Sequence, residues 1–430
     1  MTVAPLRTLK RLFRSPATIV GELLFITVLG GLGAALPQTG VATAKEIAHL
    51  RTHGPFITAL VEGLALDHVF TSPAFLAALA MATVSLLIVL VEQFKRLWSQ
   101  WHQVPNEAHF RNAPFRHEFS RPSSAACAAS PVIHTRGRLS LAGSPLFHTG
   151  LLCVILAGIL RALFGVDAMV DLFEGETLPA TTQAWGVQQP GFLAKPFHLD
   201  TPLILVSVRT TYYRSGDLGA LRIKLAMPGA EGDQEREIGV NEELPMSRGR
   251  LYTDSRHGPT ALVEWSVPAT APQRTALLLE KKEPQAFGAY DHGPGHLTAR
   301  IRVAVPPDGQ RPESAEVRIL AGSSVLAEAS LRPGQVLNLP GGGVLRLHGL
   351  PYWTRLHGNH DPALWLAYLG FALALLGATL TFMVVKVDEL VSVSAEGNFE
   401  RVVVAMRPHR FAPLFQERFQ KLVREQGGQG

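Results

Sequence analysis

Four long apolar runs constrain what this 430-residue chain can fold into more than any other feature. They are Ala17–Leu36, Ala74–Val91, Leu146–Phe164 and Ala363–Val385. A helix needs about 20 apolar residues to cross the hydrocarbon core of a bilayer, and each run is about that long. We therefore predict an integral membrane protein with four transmembrane α-helices, three of them N-terminal and one C-terminal.

The first run raises the alternative of a cleaved signal peptide, because basic residues precede it and small residues lie near its end. Its apolar stretch is longer than the roughly 7–15 residues of a signal-peptide core. Pro37 and Gln38 also stand where a small-residue cleavage site is expected. We expect this run to be retained as a membrane anchor.

Lysine and arginine are concentrated before the first run, between the second and third runs, and after the fourth. These residues are Arg7, Lys10, Arg11, Arg14, Lys95, Arg96, Arg111, Arg116, Arg121, Arg136, Arg138, Lys386 and Arg401. The loop between the first two runs has only Lys45 and Arg51. Because cytoplasmic loops carry the excess of basic residues, we expect both termini to be cytoplasmic. The same bias accounts for the net charge of +5, so no nucleic-acid partner is expected.

The segment between the third and fourth runs alternates apolar and polar residues with a period of two. Six stretches show the pattern, at residues 203–213, 220–227, 261–269, 297–305, 315–322 and 343–350. Clusters of Gly, Pro and Asp such as "RSGD" and "PPDG" separate them. This alternation predicts a large, mostly antiparallel β domain, which the orientation above places outside the cytoplasm.

These patterns divide the chain into six segments. They are an N-terminal tail with spans one and two (1–93), a cytoplasmic loop (94–143), span three (144–165), an extracytoplasmic β-rich domain (166–361), span four (362–387) and a basic cytoplasmic tail (388–430). In the loop, "RPSSAACAASP" at 121–131 is typical of a flexible linker. In the tail, residues 413–424 could form an amphipathic helix near the membrane surface.

His148 stands near the start of the third run, in "GSPLFHTGLL". An ionisable residue within a span is a functional hypothesis by default. Its depth is open, because the helix could run from Arg138 or begin at Ser144, with Pro145 at its first position. Its role is open as well, because it could simply hydrogen-bond a neighbouring helix or be an axial ligand to haem iron. None of the other three runs contains a histidine, so a second haem ligand would have to come from another polypeptide.

Cysteine is sparse: Cys127 lies in the basic loop and Cys153 in the third run. The chain has no CxxC, so it lacks a dithiol redox pair, and no CxxCH, so it is not itself a c-type cytochrome. These absences weigh against one rival function, a transmembrane thiol or quinone oxidoreductase. Another rival, a membrane-anchored scaffold that binds a partner through its β domain, stays open.

Longer stretches carry a family resemblance. They include "RLFRSPATIVGELLFITVLGGLGAALPQ" and "GLALDHVFTSPAFLAALAMATVSLLIVLVEQFKRL" at the first two spans, "GRLSLAGSPLFHTGLLCVILAGILRALFG" and "VDLFEGET" at and after the third, "IGVNEELPMSRGRLYTDSRHG" in the β domain, and "DPALWLAYLGFALALLGATLTFMVVKVDELV" at the fourth. In this order they resemble the ResB or CcsB-type family, one half of the system II cytochrome c synthase, over nearly the whole chain. The tryptophan-rich WWD segment of the partner half is absent, so the chain does not resemble a fused synthase.

The resemblance implies a function in the bacterial cytoplasmic membrane. ResB-like proteins work with a CcsA-type haem-handling membrane protein, bringing haem across the membrane for attachment to the CxxCH cysteines of apocytochrome c. Thiol-reducing proteins of the same pathway are implied as further partners. The family's third-span histidine falls on His148, which implies a haem b axial ligand there. The chain is then a non-catalytic or co-catalytic subunit rather than a complete enzyme.

Other residues are weaker candidates. Arg161, at the end of the third run, could reach the outer surface or contact a haem propionate. Glu22 in the first run could exchange a proton or contact a haem propionate. The plainer interpretation is that Glu22 lies near the cytoplasmic interface. The histidines of "HGPGH" (292–296) and "HGNHD" (357–361) are expected to be solvated loop residues rather than ligands.

Overall fold

The computed structural model describes most of the chain. The described residues are 11, 13, 15–39, 42, 44–51, 55–122, 131–229, 232–268, 271–283, 286–293, 297–306, 310–340 and 342–427. They form two compact units. The helix–sheet unit is Met1–Leu32, Val69–Leu160 and Ala363–Gly430, and the β unit is Gly33–His68 and Arg161–Pro362.

Helices account for all four predicted spans. In chain order the helices are α1 (Pro16–Ala35), α2 (Ala44–Arg51), α3 (Pro55–Leu64), α4 (Pro73–His102), α5 (Ser140–Phe164), α6 (Leu364–Met383) and α7 (Gln416–Glu425). Among the described residues, α1, α4, α5 and α6 are long and apolar enough to cross a membrane. The prediction of four apolar helices, three N-terminal and one C-terminal, is confirmed.

Strands make up most of the remaining structure. They are β1 (Phe115–Pro122), β2 (Val132–Arg136), β3 (Val166–Phe173), β4 (Thr177–Leu178), β5 (Val187–Pro190), β6 (Leu203–Tyr212), β7 (Leu218–Met227), β8 (Gln234–Gly239), β9 (Leu244–Met246), β10 (Gly249–Ser266), β11 (Gln273–Leu278), β12 (Glu280–Glu283), β13 (Ala286–His292), β14 (Leu297–Ala304), β15 (Ala315–Ala321), β16 (Ser324–Leu331), β17 (Val336–Asn338), β18 (Val344–Gly349), β19 (Tyr352–His360), β20 (Val387–Glu396) and β21 (Phe399–Pro408). Each of the six alternating stretches contains or overlaps one of them.

The start of α5 fixes the position of His148 along the helix. The helix begins at Ser140, and Pro145 lies inside it rather than at its first position. The interpretation of Ser144 as an N-cap is therefore wrong. His148 lies eight residues, about 12 Å of helical rise, beyond the first residue of α5.

Glycines let α5 and α6 approach closely within the helix–sheet unit. A Cβ on Gly370 would lie 2.7 Å from the carbonyl oxygen of Gly150, and a Cβ on Gly377 would lie 2.7 Å from that of Gly143. Both distances are too short for any side chain. The two glycines on each helix are seven residues apart and so lie on one face. Small residues on facing helices are the usual means of close packing between membrane helices.

A four-stranded antiparallel sheet completes the helix–sheet unit, in the order β1-β21-β20-β2. It joins the segment between α4 and α5 to the segment after α6, for example by pairing Phe115 with Met406. The sequence analysis assigned these segments to a separate loop and tail. Most of the predicted linker, residues 123–130, lies outside the described residues. The predicted amphipathic helix of the tail is α7.

The β unit contains three sheets whose strand pairs are antiparallel. Their orders are β17-β18-β10-β19-β3-β5 with β9 and β11 also on β10, β12-β13-β14-β15-β16, and β4-β6-β7-β8. Large side chains such as Trp265, Leu251 and Ile301 are fully buried in one continuous apolar core. The prediction of a large, mostly antiparallel β domain between the third and fourth apolar helices is confirmed.

Candidate functional site

His148 is held in α5 by a hydrogen bond within its own helix. Its Nδ1 lies 2.8 Å from the carbonyl oxygen of Ser144, one turn earlier. A carbonyl oxygen can only accept, so the hydrogen of the neutral ring is on Nδ1. Nε2 then carries the lone pair, and no described residue forms a hydrogen bond with it. The Nε2 atom of a neutral imidazole is a common metal ligand.

Gln93 on α4 contacts the same side of the His148 ring. Its side-chain Nε2 lies 3.3 Å from His148 Nδ1. With the hydrogen on Nδ1 both atoms are donors, so this is a contact between α4 and α5 and not a hydrogen bond. The Gln93 Oε1 atom is buried and has no hydrogen-bond partner among the described residues. Buried polar atoms are normally paired, so this amide has unused bonding capacity beside the histidine.

The comparisons with known proteins assign the chain to a family. A model of the ResB-like family matches residues 18–299, well over half of the chain. The chain belongs to the ResB-like family. The match includes α1, α4, α5 and His148, and extends into the β unit.

Curated relatives of this ResB-like chain share its length. A protein named cytochrome c biogenesis protein CcsB from Synechococcus sp. (strain CC9902) is 25% identical over 414 residues, 87% of this chain and 88% of the relative. Proteins of the same name from Synechococcus sp. (strain WH7803) and Prochlorococcus marinus (strain MIT 9313) are 23% and 22% identical. The first alignment covers 89% of this chain and 90% of the relative, and the second covers 85% and 86%.

The second predicted site residue of this ResB-like chain, Arg161, lies elsewhere. It is thirteen residues beyond His148 on α5, about 20 Å of helical rise, so the structure does not bring the two together. Its guanidinium donates to Asp167 Oδ2 at 2.8 Å and to Asp361 Oδ2 at 2.9 Å. Asp167 also accepts from Asn359 Nδ2 at 2.6 Å. Two carboxylates thus already balance the Arg161 charge, and a propionate contact there stays a prediction.

Glu22 is buried inside the helix–sheet unit rather than exposed at a helix end. Its side chain is only 5% exposed, and Ser85 on α4 donates a hydrogen bond to Oε1 at 3.0 Å. The contact ties α1 to α4. A buried carboxylate with one neutral donor retains acceptor capacity, but the structure places no basic residue on it among the described contacts.

One of the two histidine pairs, in "HGNHD", differs from the expectation of solvated loops. His357 lies in β19 and is buried; its Nε2 is 3.0 Å from Asp254 Oδ2, and its ring stacks on Tyr252. The loop interpretation of His357 is therefore wrong, because the "HGNHD" stretch continues a strand. His292 is exposed at the end of β13, and His296 lies outside the described residues.

Cys153 forms no part of a site among the described residues. Cys153 is a free, half-buried thiol in α5, and Cys127 lies outside the described residues. Within the described ranges there is also no group of three or more His, Cys, Asp or Glu residues that could hold a metal ion by itself.

The β unit contains a cavity that the sequence did not reveal. It has a volume of about 630 Å³, and its walls include Phe287, Trp353, Arg256 and Lys281. These residues come from four separate strands, β10, β12, β13 and β19, so no local motif marks them. The walls combine aromatic surface with positive charge.

His257 lines the same cavity, but both of its ring nitrogens are engaged. Nδ1 donates to the carbonyl oxygen of Ser255 at 2.7 Å, and Nε2 accepts from the Tyr212 hydroxyl at 2.7 Å. Burial lowers the pKa of His257 below its usual value. The ring is therefore a neutral part of the wall rather than a free ligand.

Proposed function

We propose that this ResB-like chain is a membrane subunit of system II cytochrome c biogenesis. In this proposal it assists haem delivery across the bacterial cytoplasmic membrane together with a CcsA-type partner. It also presents apocytochrome c for covalent attachment of haem. The name and full-length coverage of the curated relatives support the pathway, and the four apolar helices support the membrane setting.

The observation that carries the haem part of the proposal is the hydrogen bonding of His148. Metal-binding histidines usually donate their second ring N–H to a carbonyl or carboxylate, which fixes the tautomer and the ring orientation. The Ser144 carbonyl occupies that position on Nδ1, and Gln93 borders it. His148 therefore fits an axial ligand to haem b through Nε2. When bound, the haem supplies the iron centre and the vinyl groups that become linked to apocytochrome c.

A second axial ligand is expected from the partner. His102 is the last residue of α4, about 13 Å of helical rise beyond Gln93, and its side chain bonds the carbonyl of Trp98. It is the one other histidine on the four apolar helices. In this proposal a second ligand to the haem would come from another polypeptide, the CcsA-type protein.

Presentation of apocytochrome c is assigned to the β unit. The cavity bordered by Phe287 and Trp353 offers apolar and cationic surface of a kind that binds peptides or planar groups. The same surface would also suit a scaffold that only binds a partner. Binding of haem at His148 is therefore the feature that distinguishes the proposed function from a scaffold. The scarcity of cysteine weighs against a thiol oxidoreductase, because only two cysteines occur in the chain.

The proposal is tested by reconstitution in a bacterium that lacks its own system for maturing c-type cytochromes. The chain, a CcsA-type partner and a reporter cytochrome with one CxxCH motif are expressed together or with one component omitted. Covalent haem on the reporter is expected only when both membrane proteins are present. Equal maturation without this chain, at equal partner abundance, would contradict the proposed function.

A further inference from the structure

A second cavity, of about 310 Å³, lies within the helix–sheet unit beside His148. It opens where the ends of α4, α5 and α6 meet the beginning of β20 and the end of β21. Its walls include Gln93, Arg96, Ser144, Thr381, Lys386 and Arg410. Gln93 and Ser144 both lie close to His148 Nδ1. The cavity and the candidate haem ligand therefore share a wall.

The titratable side chains that line this cavity are all basic. They are Arg96, Lys386, His409 and Arg410, and no Asp or Glu among the described residues lines the cavity. Arg410 donates to the carbonyl of Thr381 at 3.3 Å. Arg96 is exposed and forms no ion pair with any described carboxylate.

Asp388 pairs with two of these bases but does not balance all of this charge. It is fully buried and lies 3.4 Å from Lys386 and 3.5 Å from His409. His109 is a third base, 3.3 Å from the same carboxylate. One carboxylate thus serves several bases, and the guanidinium groups of Arg96 and Arg410 are left to attract an external anion.

The cavity also holds unused hydrogen-bonding capacity. Thr381 Oγ1, like Gln93 Oε1, is buried and has no hydrogen-bond partner among the described residues. A hydroxyl can donate to an anionic oxygen. Two guanidinium groups, an ammonium and a free hydroxyl around one space are the donors that carboxylates and phosphates require.

We propose that this cavity binds an anionic oxygen group and that the propionate carboxylates of haem supply it. This rests on the proposed function, because it takes His148 as the ligand of the same haem. The shared wall of Gln93 and Ser144 favours propionates over an unrelated anion. The polar lining suits the acidic edge of a haem, while the apolar surfaces of α4 and α5 suit its macrocycle. A lipid phosphate has the same chemistry and is the other source to be tested.

The test uses the full chain purified with its CcsA-type partner in nanodiscs of neutral lipid. Ferric haem and haem dimethyl ester, which has no free carboxylate, are titrated and followed by absorption and by fluorescence quenching. The part of each signal that is lost in His148→Ala defines binding at His148. The double variant Arg96→Gln/Arg410→Gln removes charge from the cavity but leaves the buried Lys386–Asp388 pair intact. Lys95→Gln/Arg424→Gln is the matched control, because both residues are exposed and neither lines the cavity.

We expect the cavity variant to bind ferric haem about tenfold or more weakly, because charged hydrogen bonds are lost. It should bind the ester as the unaltered chain does, and the control should change neither affinity. Equal affinity of the variant and the unaltered chain for ferric haem would overturn the proposal, as would an equal loss with haem and ester. Adding phosphatidylglycerol to the nanodiscs tests whether a lipid phosphate, rather than a haem propionate, supplies the anionic group. If the variant changes only the binding of this lipid and not of haem, the anion is a lipid phosphate and the propionate assignment is wrong.

These outcomes separate the two proposals. Absence of any His148-dependent binding of either haem or ester contradicts the haem role of His148 and, with it, the propionate site. His148-dependent binding of the ester with no effect of the cavity variant on ferric haem contradicts the cavity alone.

Discussion

At the scale of single residues, the chemistry of His148 depends on a backbone carbonyl. The hydrogen bond from Nδ1 to Ser144 sets the tautomer, and the position of Ser144 one turn earlier is a property of any helix. The helix starts at Ser140, so the turn from Ser144 to His148 lies inside it. The tautomer of the ring is therefore set within its own helix, and Gln93 of α4 lies beside the ring.

Replacing His148 by Ala should remove most of the haem from the complex with the partner and stop maturation of c-type cytochromes. Membrane insertion should be unaffected, because loss of a polar side chain from a span eases insertion. Added imidazole should restore part of the activity by occupying the vacated axial position. Haem absorbance, covalent cytochrome yield and membrane abundance are measured together. A full haem load and normal yield in His148→Ala would show that the histidine only packs and hydrogen-bonds.

The sequence predicted His148 but not its surroundings. A histidine inside an apolar run is conspicuous because burying a polar ring is costly, so local composition reveals it. Gln93 is 55 residues away and stands in a polar stretch that follows its apolar run. In the sequence, Arg96 and Lys386 indicate only the orientation of the chain in the membrane. Their meeting around one cavity depends on helix packing, which periodicity does not encode.

At the scale of elements, the helices and the strands of the β unit were predictable because each shows its own hydrophobic period. The four-stranded sheet was not, because β1 pairs with β21 nearly 300 residues later and its exposed face is rich in charge. A polar strand next to a span resembles a loop until its partner is known. His357 was misjudged for the same reason, since glycine and asparagine beside it suggested a turn.

The crossing of α5 and α6 should tolerate no side chain at its glycines. Gly150→Ala places a Cβ against the backbone of Ala374 and the carbonyl of Gly370, and overpacking of this kind costs about 1–3 kcal/mol. Gly158→Ala on the same helix is the matched control, because its Cβ would meet only Leu79 Cδ1, at 3.8 Å. Thermal unfolding in detergent should show a lower Tm for Gly150→Ala and an unchanged Tm for Gly158→Ala. Equal Tm values for both variants would mean that the helices do not pack through Gly150.

The four-stranded sheet should depend on Asp388. Burial alone would raise the pKa of this carboxyl, but hydrogen bonds from His409 and Thr135 and the charge of Lys386 outweigh it and hold the pKa well below its usual range. Asp388→Asn leaves the buried Lys386 unpaired, and removal of one partner of a buried pair costs about 3–5 kcal/mol. Limited proteolysis at β20 and β21 should become faster. Glu396→Gln, an exposed change on the same strand, should have little effect.

The pH dependence of this effect has a definite sign. A carboxyl with a depressed pKa in the folded state stabilises it above its unfolded pKa of about 3.9, and that stability is lost as the pH falls toward the folded value. The difference between the unaltered chain and Asp388→Asn should therefore be constant at neutral pH and shrink below about pH 4. A difference that is largest in acid would contradict this account of Asp388.

At the scale of the whole molecule, the distribution of lysine and arginine predicts how the chain is oriented in the membrane. The basic residues before α1, around the four-stranded sheet and after α6 favour the cytoplasm, whereas the segment before α4 is nearly free of them. Apolar side chains such as Val20, Leu24 and Leu375 are exposed on the helices, as expected for surfaces that face lipid. An orientation with the four-stranded sheet in the cytoplasm would also put the basic cavity on the side where haem is made.

Reporter fusions test this orientation directly. Alkaline phosphatase, which is active only outside the cytoplasm, and a fluorescent protein that folds only inside are fused in turn near residues 110, 280 and 410. Residues 110 and 410 should report the cytoplasm and residue 280 the outside, because an even number of spans separates 110 from 410 and an odd number separates each from 280. The fluorescent and enzymatic signals must be complementary at each site, which controls for fusions that are merely degraded. An outside signal at residue 110 would overturn this orientation, since the charge bias of that segment is its main support. With four spans, the β unit would then have to face the cytoplasm.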